Sequence, residues 1–295
     1  FEIGCRQASP GEFSLRAYLN GKVDLMQAEA ISHLISSNSV LSTRAGLKHL
    51  EGRISKFLTS LKTEAINILS IIENELNFLD GEIEFSTKEI FLTKLHTIKS
   101  NIKKILDTSV IGKNISFGLR VVLYGRPNSG KSTLFNKILG HNRAITSEIA
   151  GTTRDSIEAH FEIKGVSISL IDTAGIWKSK KNLDALSIKK TKGELKRANI
   201  CIVLDPNDPK KLVNKKFSSL FKGDVILVQS KNDLNSHIYN KNDVISISSI
   251  TEDGLNELLT SLSTIIEEKF SFFDSDVLIT KRQVLLIKNS INYLN

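Results

Sequence analysis

From residue 27 to residue 79 apolar side chains recur at intervals of three and four: Ile31, Leu34 and Ile35, then Ile54, Phe57, Leu58 and Leu61. That spacing gathers them on one side of a helix, so the region is predicted to form amphipathic helices. Residues 81–85 break the pattern. Ser86 with Glu89 three positions on has the form of a capping box and predicts another helix to about Thr108. The first third therefore reads as a helical bundle. After Gly112 the period changes, and short β-rich runs at 119–124, 167–171, 200–205, 225–228 and 244–246 alternate with helical stretches. Such alternation predicts a mostly parallel sheet with helices against it. Helical periodicity returns at 255–270 and again at 281–294. The longest apolar runs, 200–204 and 225–228, fall far short of the roughly 20 residues a membrane helix needs, so no membrane partner is expected.

Composition adds little to this picture. The 295 residues, 40% hydrophobic and 24% charged, suffice for about two globular domains. A net charge of +8 permits weak attraction to an acidic partner such as RNA without diagnosing one, because the lysines are spread along the chain. Cys5 and Cys201 make no disulfide framework, Cys201 reads as packed core, and the six histidines lack metal-ligand spacing. A reducing, cytoplasmic setting is the expectation. The opening Phe1 and the absence of a signal-like start read as an internal fragment.

Four segments carry chemistry. Gly125-Arg126-Pro127-Asn128-Ser129-Gly130-Lys131-Ser132 follows a predicted strand and precedes a helix starting near Lys131, the setting of a phosphate-binding P-loop. Its glycines let backbone N–H groups turn toward phosphates, and the helix N-terminus adds positive potential. Lys131 is suited to neutralising the β and γ phosphates and Ser132 to ligating Mg²⁺, with Ser129, Gly130 and Thr133 completing the set. Asp172-Thr173-Ala174-Gly175 ends a second strand and reads as a γ-phosphate sensor, the acid near Mg²⁺ and the glycine leaving room for a backbone N–H to meet the phosphate. Ser230-Lys231-Asn232-Asp233 ends a third strand. The Asp233 carboxylate can accept from the N1–H and exocyclic amine of guanine, a donor pair adenine lacks. The Lys231 stem can cover the base, and Ser248-Ser249 can bring a backbone N–H to the guanine oxygen. Between loop and sensor, Gly151-Thr152-Thr153-Arg154-Asp155 occupies the place of a mobile switch carrying a magnesium-ligating threonine.

The opening residues narrow the class. Gly4-Cys5-Arg6-Gln7-Ala8-Ser9-Pro10-Gly11-Glu12-Phe13, then Arg16-Ala17-Tyr18-Leu19-Asn20-Gly21-Lys22, Asp24-Leu25 and Gln27-Ala28-Glu29-Ala30-Ile31 resemble the tRNA-modification GTPase family MnmE, also called TrmE. Matching stretches run from Gly4 to about Phe270. The resemblance implies a Ras-like α/β P-loop GTPase domain inserted into an all-α helical-bundle domain. Its expected limits are 1–22 for the tail of a folate-binding, dimerising domain, 23–116 and 270–295 for the two parts of the helical domain, and 117–269 for the GTPase domain. A terminal Cys-x-Gly-Lys is absent, so the chain reads as truncated at both ends.

The resemblance also implies an activity. Such proteins work with a flavin-containing partner to install an aminomethyl-type group on the wobble uridine of tRNA, taking the carbon from a folate derivative, and GTP hydrolysis drives the cycle. Their G domains pair across the nucleotide in a homodimer and bind K⁺, to which Asn128, Ser147, Ile149 and Thr152 correspond here. Thr153 corresponds to the residue that joins Ser132 on Mg²⁺, and Lys22 to a folate-binding lysine. Thr153 and Lys131 would then serve the reaction together with Asp184, which stands where the family has a water-orienting glutamate and is one methylene shorter. Either Asp184 orients the water or hydrolysis is slow. Two further departures are Trp177, where an arginine is common, and Ser230, where an asparagine opens the base motif. Two other readings remain open: a ribosome-assembly or RNA-binding GTPase, and a nucleotide-holding scaffold with weak hydrolysis.

Overall fold

The computed structural model describes residues 4, 6–77, 87–141, 157–173, 184–234, 243–270 and 280–294. The chain divides into two compact units, Phe1–Ser116 with Phe272–Asn295, and Phe117–Ser271.

The first unit is helical: α1 (Glu12–Leu19), α2 (Leu25–Ile35), α3 (Val40–Leu50), α4 (Arg53–Leu76), α5 (Lys88–Asp107) and α6 (Ser109–Phe117). A reciprocal capping box starts α2, where the Asp24 side chain accepts from Gln27 N at 2.8 Å and Gln27 Oε1 accepts from Asp24 N at 2.9 Å. The capping box expected at Ser86 and Glu89 falls at the start of α5. Thr87 holds the N-cap without a side-chain bond, and Ser86 lies outside the described residues. The helical period also outlasts Gly112, because α6 continues to Phe117.

The second unit is a six-stranded sheet with helices: β1 (Leu119–Gly125), α7 (Lys131–His141), β2 (Ile157–Ile163), β3 (Val166–Asp172), α8 (Asp184–Arg197), β4 (Ile200–Asp205), α9 (Lys215–Leu220), β5 (Asp224–Gln229), β6 (Val244–Ser246) and α10 (Leu255–Phe270). The strand order is β2-β3-β1-β4-β5-β6. All neighbours are parallel except β2, which pairs antiparallel with β3 through a tight turn at Lys164 and Gly165. Both turn residues have positive φ, 51° and 81°, as a two-residue hairpin turn matched to strand twist requires. The sheet interior is a near-continuous apolar run on β1, β3 and β4 because helices bury both faces of parallel strands. The chain then returns to the helical unit in α11 (Lys281–Tyr293). There Ile287 joins Leu61 and Ile68 of α4 and Ile98, Ile102 and Ile105 of α5 in one buried cluster.

His33 of α2 is half-buried near Ser42 of α3, and His49 of α3 is buried nearby. Burial first, and the neighbouring His49 second, hold the His33 imidazole below its ordinary value of 6.5. As pH falls, the unfolded chain therefore takes up a proton before the folded chain does. This stabilisation is complete above the unfolded value and is lost as pH falls through the folded value. The expected result is a thermal midpoint that falls from about pH 7 to about pH 5, with a shallower fall in His33→Gln, read by circular dichroism.

Candidate functional site

Every chemistry-bearing segment that is described in the second unit lies at the carboxyl ends of parallel strands. In register, Leu123 of β1 pairs with Asp172, Gly125 with Leu204, Asp205 of β4 with Gln229, and Gln229 with Ser246. Open α/β sheets bind ligands at this edge because helix N-termini and exposed loop backbones converge there.

The loop between β1 and α7 is fixed by sterics. A methyl at Gly125 would stand 2.2 Å from the Leu204 carbonyl oxygen and 2.8 Å from Ser129 Oγ, so only glycine lets β1 approach β4 this closely. Gly125→Ala is expected to destabilise the protein by about 3 kcal/mol, because the obstacle is backbone rather than a movable side chain. Urea titration reads that loss. Beyond Gly125, Asn128 (φ 61°) and Gly130 (φ 89°) take left-handed conformations, and Ser129 is buried between them. Alternation of this kind turns successive N–H groups inward as an anion-binding concavity.

Lys131 opens α7 and is 3% exposed. Its ammonium donates to the carbonyls of Gly125 at 3.0 Å and Arg126 at 2.6 Å, and lies 3.4 Å from Ser129 Oγ. Burial pulls its pKa below 10.5, opposed by the Asp172 carboxylate. The next residue, Ser132, donates its hydroxyl to Asp172 Oδ2 at 2.6 Å. Asp172 is wholly buried, and Thr173 Oγ1 donates to the Leu123 carbonyl at 2.7 Å, tying the end of β3 to β1. Ser132 and Asp172 thus bring two hard oxygen donors together beside a buried cation, a donor set suited to Mg²⁺. Thr133 is exposed on α7.

A second group follows β5 and β6. Ser230 N donates to the Asp205 carbonyl at 3.2 Å, and Lys231 takes φ 59°. Asn232 N donates to the Ile247 carbonyl at 3.1 Å. Ser248 Oγ donates to Asp233 Oδ1 at 2.7 Å while accepting from Ile250 N at 3.3 Å and Thr251 N at 3.2 Å, which fixes the exposed carboxylate in one orientation. Ser249 is half-buried beside it. Ser230 is 1% exposed and its hydroxyl has no hydrogen-bond partner among the described residues. A methyl placed on Gly130 would stand 3.9 Å from Ser230 Cβ, so the phosphate loop and this second loop approach to van der Waals distance.

Sequence reasoning missed Asp205. Its Oδ1 accepts from Asn207 N at 2.9 Å and Asp208 N at 3.0 Å, and its Oδ2 lies 3.5 Å from Arg126 Nε, so it braces both the loop after β4 and the phosphate loop. The signal available was an acid ending an otherwise apolar strand. Ser147, Ile149, Thr152, Thr153, Ala174, Gly175 and Trp177 lie outside the described residues, and so does the side chain of Asp184, which opens α8. Lys22 stands exposed in the helical unit, its N–H donating to the Ala17 carbonyl at 2.9 Å. Cys201 is buried in the sheet, and burial pushes its thiol pKa up. Among the described residues no helix is long and apolar enough to cross a membrane.

Strand order, loop geometry and the Lys131–Ser132–Asp172 cluster define a Ras-like P-loop GTPase domain joined to a helical domain. A family model described as the MnmE helical domain matches residues 25–295. The tRNA modification GTPase MnmE of Thermotoga sp. strain RQ2 is 35% identical over 99% of this chain and 67% of its own length. The proteins of that name from Flavobacterium johnsoniae and Salinibacter ruber are 39% and 42% identical, over 88% and 68% of this chain. The chain belongs to the MnmE family. It spans about half the length of the two latter relatives, 56% and 44%.

Proposed function

We propose that this chain is the nucleotide-hydrolysing part of a tRNA-modification GTPase that is stimulated by K⁺ and acts with a flavin-containing partner and a folate-derived carbon at the wobble uridine. The observation that carries the reading is the cluster of Lys131, Ser132 and Asp172 at the carboxyl edge of the sheet, on the same edge as the loop holding Asp233. In it, Ser129, Gly130, Lys131, Ser132 and Thr133 hold the phosphates. Ser132 and Thr153 hold Mg²⁺ with Asp172 beside them, and Thr173, Ala174 and Gly175 follow the γ phosphate. Mg²⁺ supplies charge neutralisation on the β and γ oxygens.

Lys131 moves from the Gly125 and Arg126 carbonyls to phosphate oxygens, exchanging two neutral acceptors for charged ones. Asp233, oriented by Ser248, accepts from the guanine edge, with Lys231 and Ser249 completing the base site. The unpartnered Ser230 hydroxyl fits this role, since a buried polar group gains most from a partner that arrives with the ligand. Asn128, Ser147, Ile149 and Thr152 form the K⁺ set, Asp184 orients the attacking water, and Lys22 belongs to the folate site of the whole protein. The setting is a bacterial cytoplasm, and the whole protein is a homodimer.

The test compares GTP turnover in K⁺ and Na⁺ buffers for the wild type and for Asn128→Ala. Several-fold acceleration by K⁺, abolished in Asn128→Ala, is the expected result. Negligible turnover in both salts overturns the enzymatic reading in favour of a nucleotide-holding scaffold. Unchanged wobble uridines in a deletion strain overturn the tRNA assignment.

A further inference from the structure

The C-terminal half of α8 and the segment through α9 form one layer on the sheet. Leu195 and Ala198 pack with Leu212, Val213, Phe217 and Phe221 in a single apolar cluster, so the two helices share an inner side and their outer sides adjoin. The outer side is basic. Lys196, Arg197, Lys215, Lys216 and Lys222 are exposed, and Lys192 is half-buried.

None of these six cations has a carboxylate partner among the described residues, because the neighbouring acids are engaged elsewhere. Glu194 holds Arg120 at 2.7 Å, Asp243 holds Lys210 at 3.2 Å, Asp208 caps the turn at Pro209–Leu212 and faces Lys211, and Asp224 holds Lys269. Local structure gains little from this arrangement. Lys192 and Lys196 are like charges one helical turn apart, and Lys215 and Lys216 sit in the first turn of α9, where the helix dipole disfavours cations. A bound polyanion would relieve both.

The chemistry of that polyanion follows from what lies between the cations. No large apolar side chain is exposed among described residues 190–222, whereas protein interfaces rest on buried aromatic and aliphatic anchors. Ser218 and Ser219 are the exposed neighbours instead, a mixture of cations and hydroxyls suited to phosphate oxygens. We propose that the outer surface of α8 and α9 is a docking face for RNA backbone, reading charge rather than sequence. In the whole protein its ligand is the tRNA substrate, so the inference rests on the tRNA reading above.

The experiment measures binding of a fluorescent unmodified tRNA transcript to the full chain by anisotropy over a range of KCl. The variants are the triple substitution K196E/K216E/K222E and its milder counterpart K196Q/K216Q/K222Q. Each phosphate that a variant no longer neutralises lowers the slope of log affinity against log salt by about 0.7–0.9. The expected result is affinity at least about tenfold weaker in the glutamate triple, a slope smaller by about 2, and a smaller change of the same sign in the glutamine triple. GTP turnover stays unchanged, since none of the three residues belongs to the nucleotide site. Wild-type affinity and slope in both variants would overturn the face while leaving the tRNA reading standing. Absence of tRNA binding by an actively hydrolysing wild type also overturns the face, and wobble-uridine profiling then judges the functional reading separately. Competition by polyglutamate as strong as by polyuridylate of equal charge would mark an acidic-protein surface and overturn the RNA assignment.

Discussion

Lys131→Ala is expected to lower GTP turnover by about 10²–10³-fold, the usual cost of removing one donor aimed at developing charge. The same substitution should leave the nucleotide-free protein near its wild-type melting temperature. The buried ammonium gains two hydrogen bonds to the Gly125 and Arg126 carbonyls but is penalised by its own burial, as its depressed pKa records. These contributions oppose each other, so the change in apo stability is small. The contrast appears in a thermal-shift titration. Wild type gains stability with GTP, about 2.7 kcal/mol at a hundred times Kd, and Lys131→Ala gains little at the same concentration. A full GTP-induced shift in Lys131→Ala would mean that phosphates bind elsewhere.

Asp233→Asn is expected to reverse base preference. Two hydrogen bonds from the guanine edge to a carboxylate are worth about 1.5–3 kcal/mol each. An amide can accept only one of them and turns a donor toward the other. The loss for GTP is therefore about 10²-fold or more. Xanthine carries an oxygen where guanine has its amine, and so matches the new donor and acceptor pair. Because Ser248 donates to Oδ1, the side-chain oxygen stays on that side and the amide nitrogen takes the other position. Competition between GTP and XTP for a fluorescent analogue measures the switch. An unaltered preference for GTP would remove Asp233 from the base site.

Much of this arrangement is legible in the sequence because its signals are local. The apolar runs that form β1, β3, β4 and β5 are bounded by the motifs themselves, and 255–270 coincides with α10. The strand β2 is not. Its residues, Ile-Glu-Ala-His-Phe-Glu-Ile, alternate as an edge strand should, and Lys164-Gly165 supplies its turn, but the stretch is too polar to stand out beside buried parallel strands. The short helix α9 also escapes, since six residues are too few to display a helical period. In the site, residue types announce Lys131, Ser132 and Asp172. Contacts between distant segments are invisible: the brace from Asp205 to Arg126, the Thr173 tie to β1, and the Ser248 hold on Asp233 depend on strand register, which no single motif encodes.

The position of the sheet unit within the chain bears on how the protein is made. Leu119 pairs with Ile168, and α10 ends with Glu267 3.2 Å from Lys164 and with Lys269 on Asp224 at the start of β5. The chain therefore enters and leaves this unit at the same edge of the sheet, opposite the phosphate loop. A ribosome releases α4 and α5 long before α11, the helix that completes their core. If the intervening stretch of about 150 residues were a random coil, bringing α11 back would cost roughly 4–5 kcal/mol in closure entropy. Once folded, the insert acts as a short clasp between its two ends and most of that cost disappears. Maturation of the helical bundle is thus coupled to completion of the nucleotide unit, and a lesion that unfolds the sheet is expected to loosen the helix core as well.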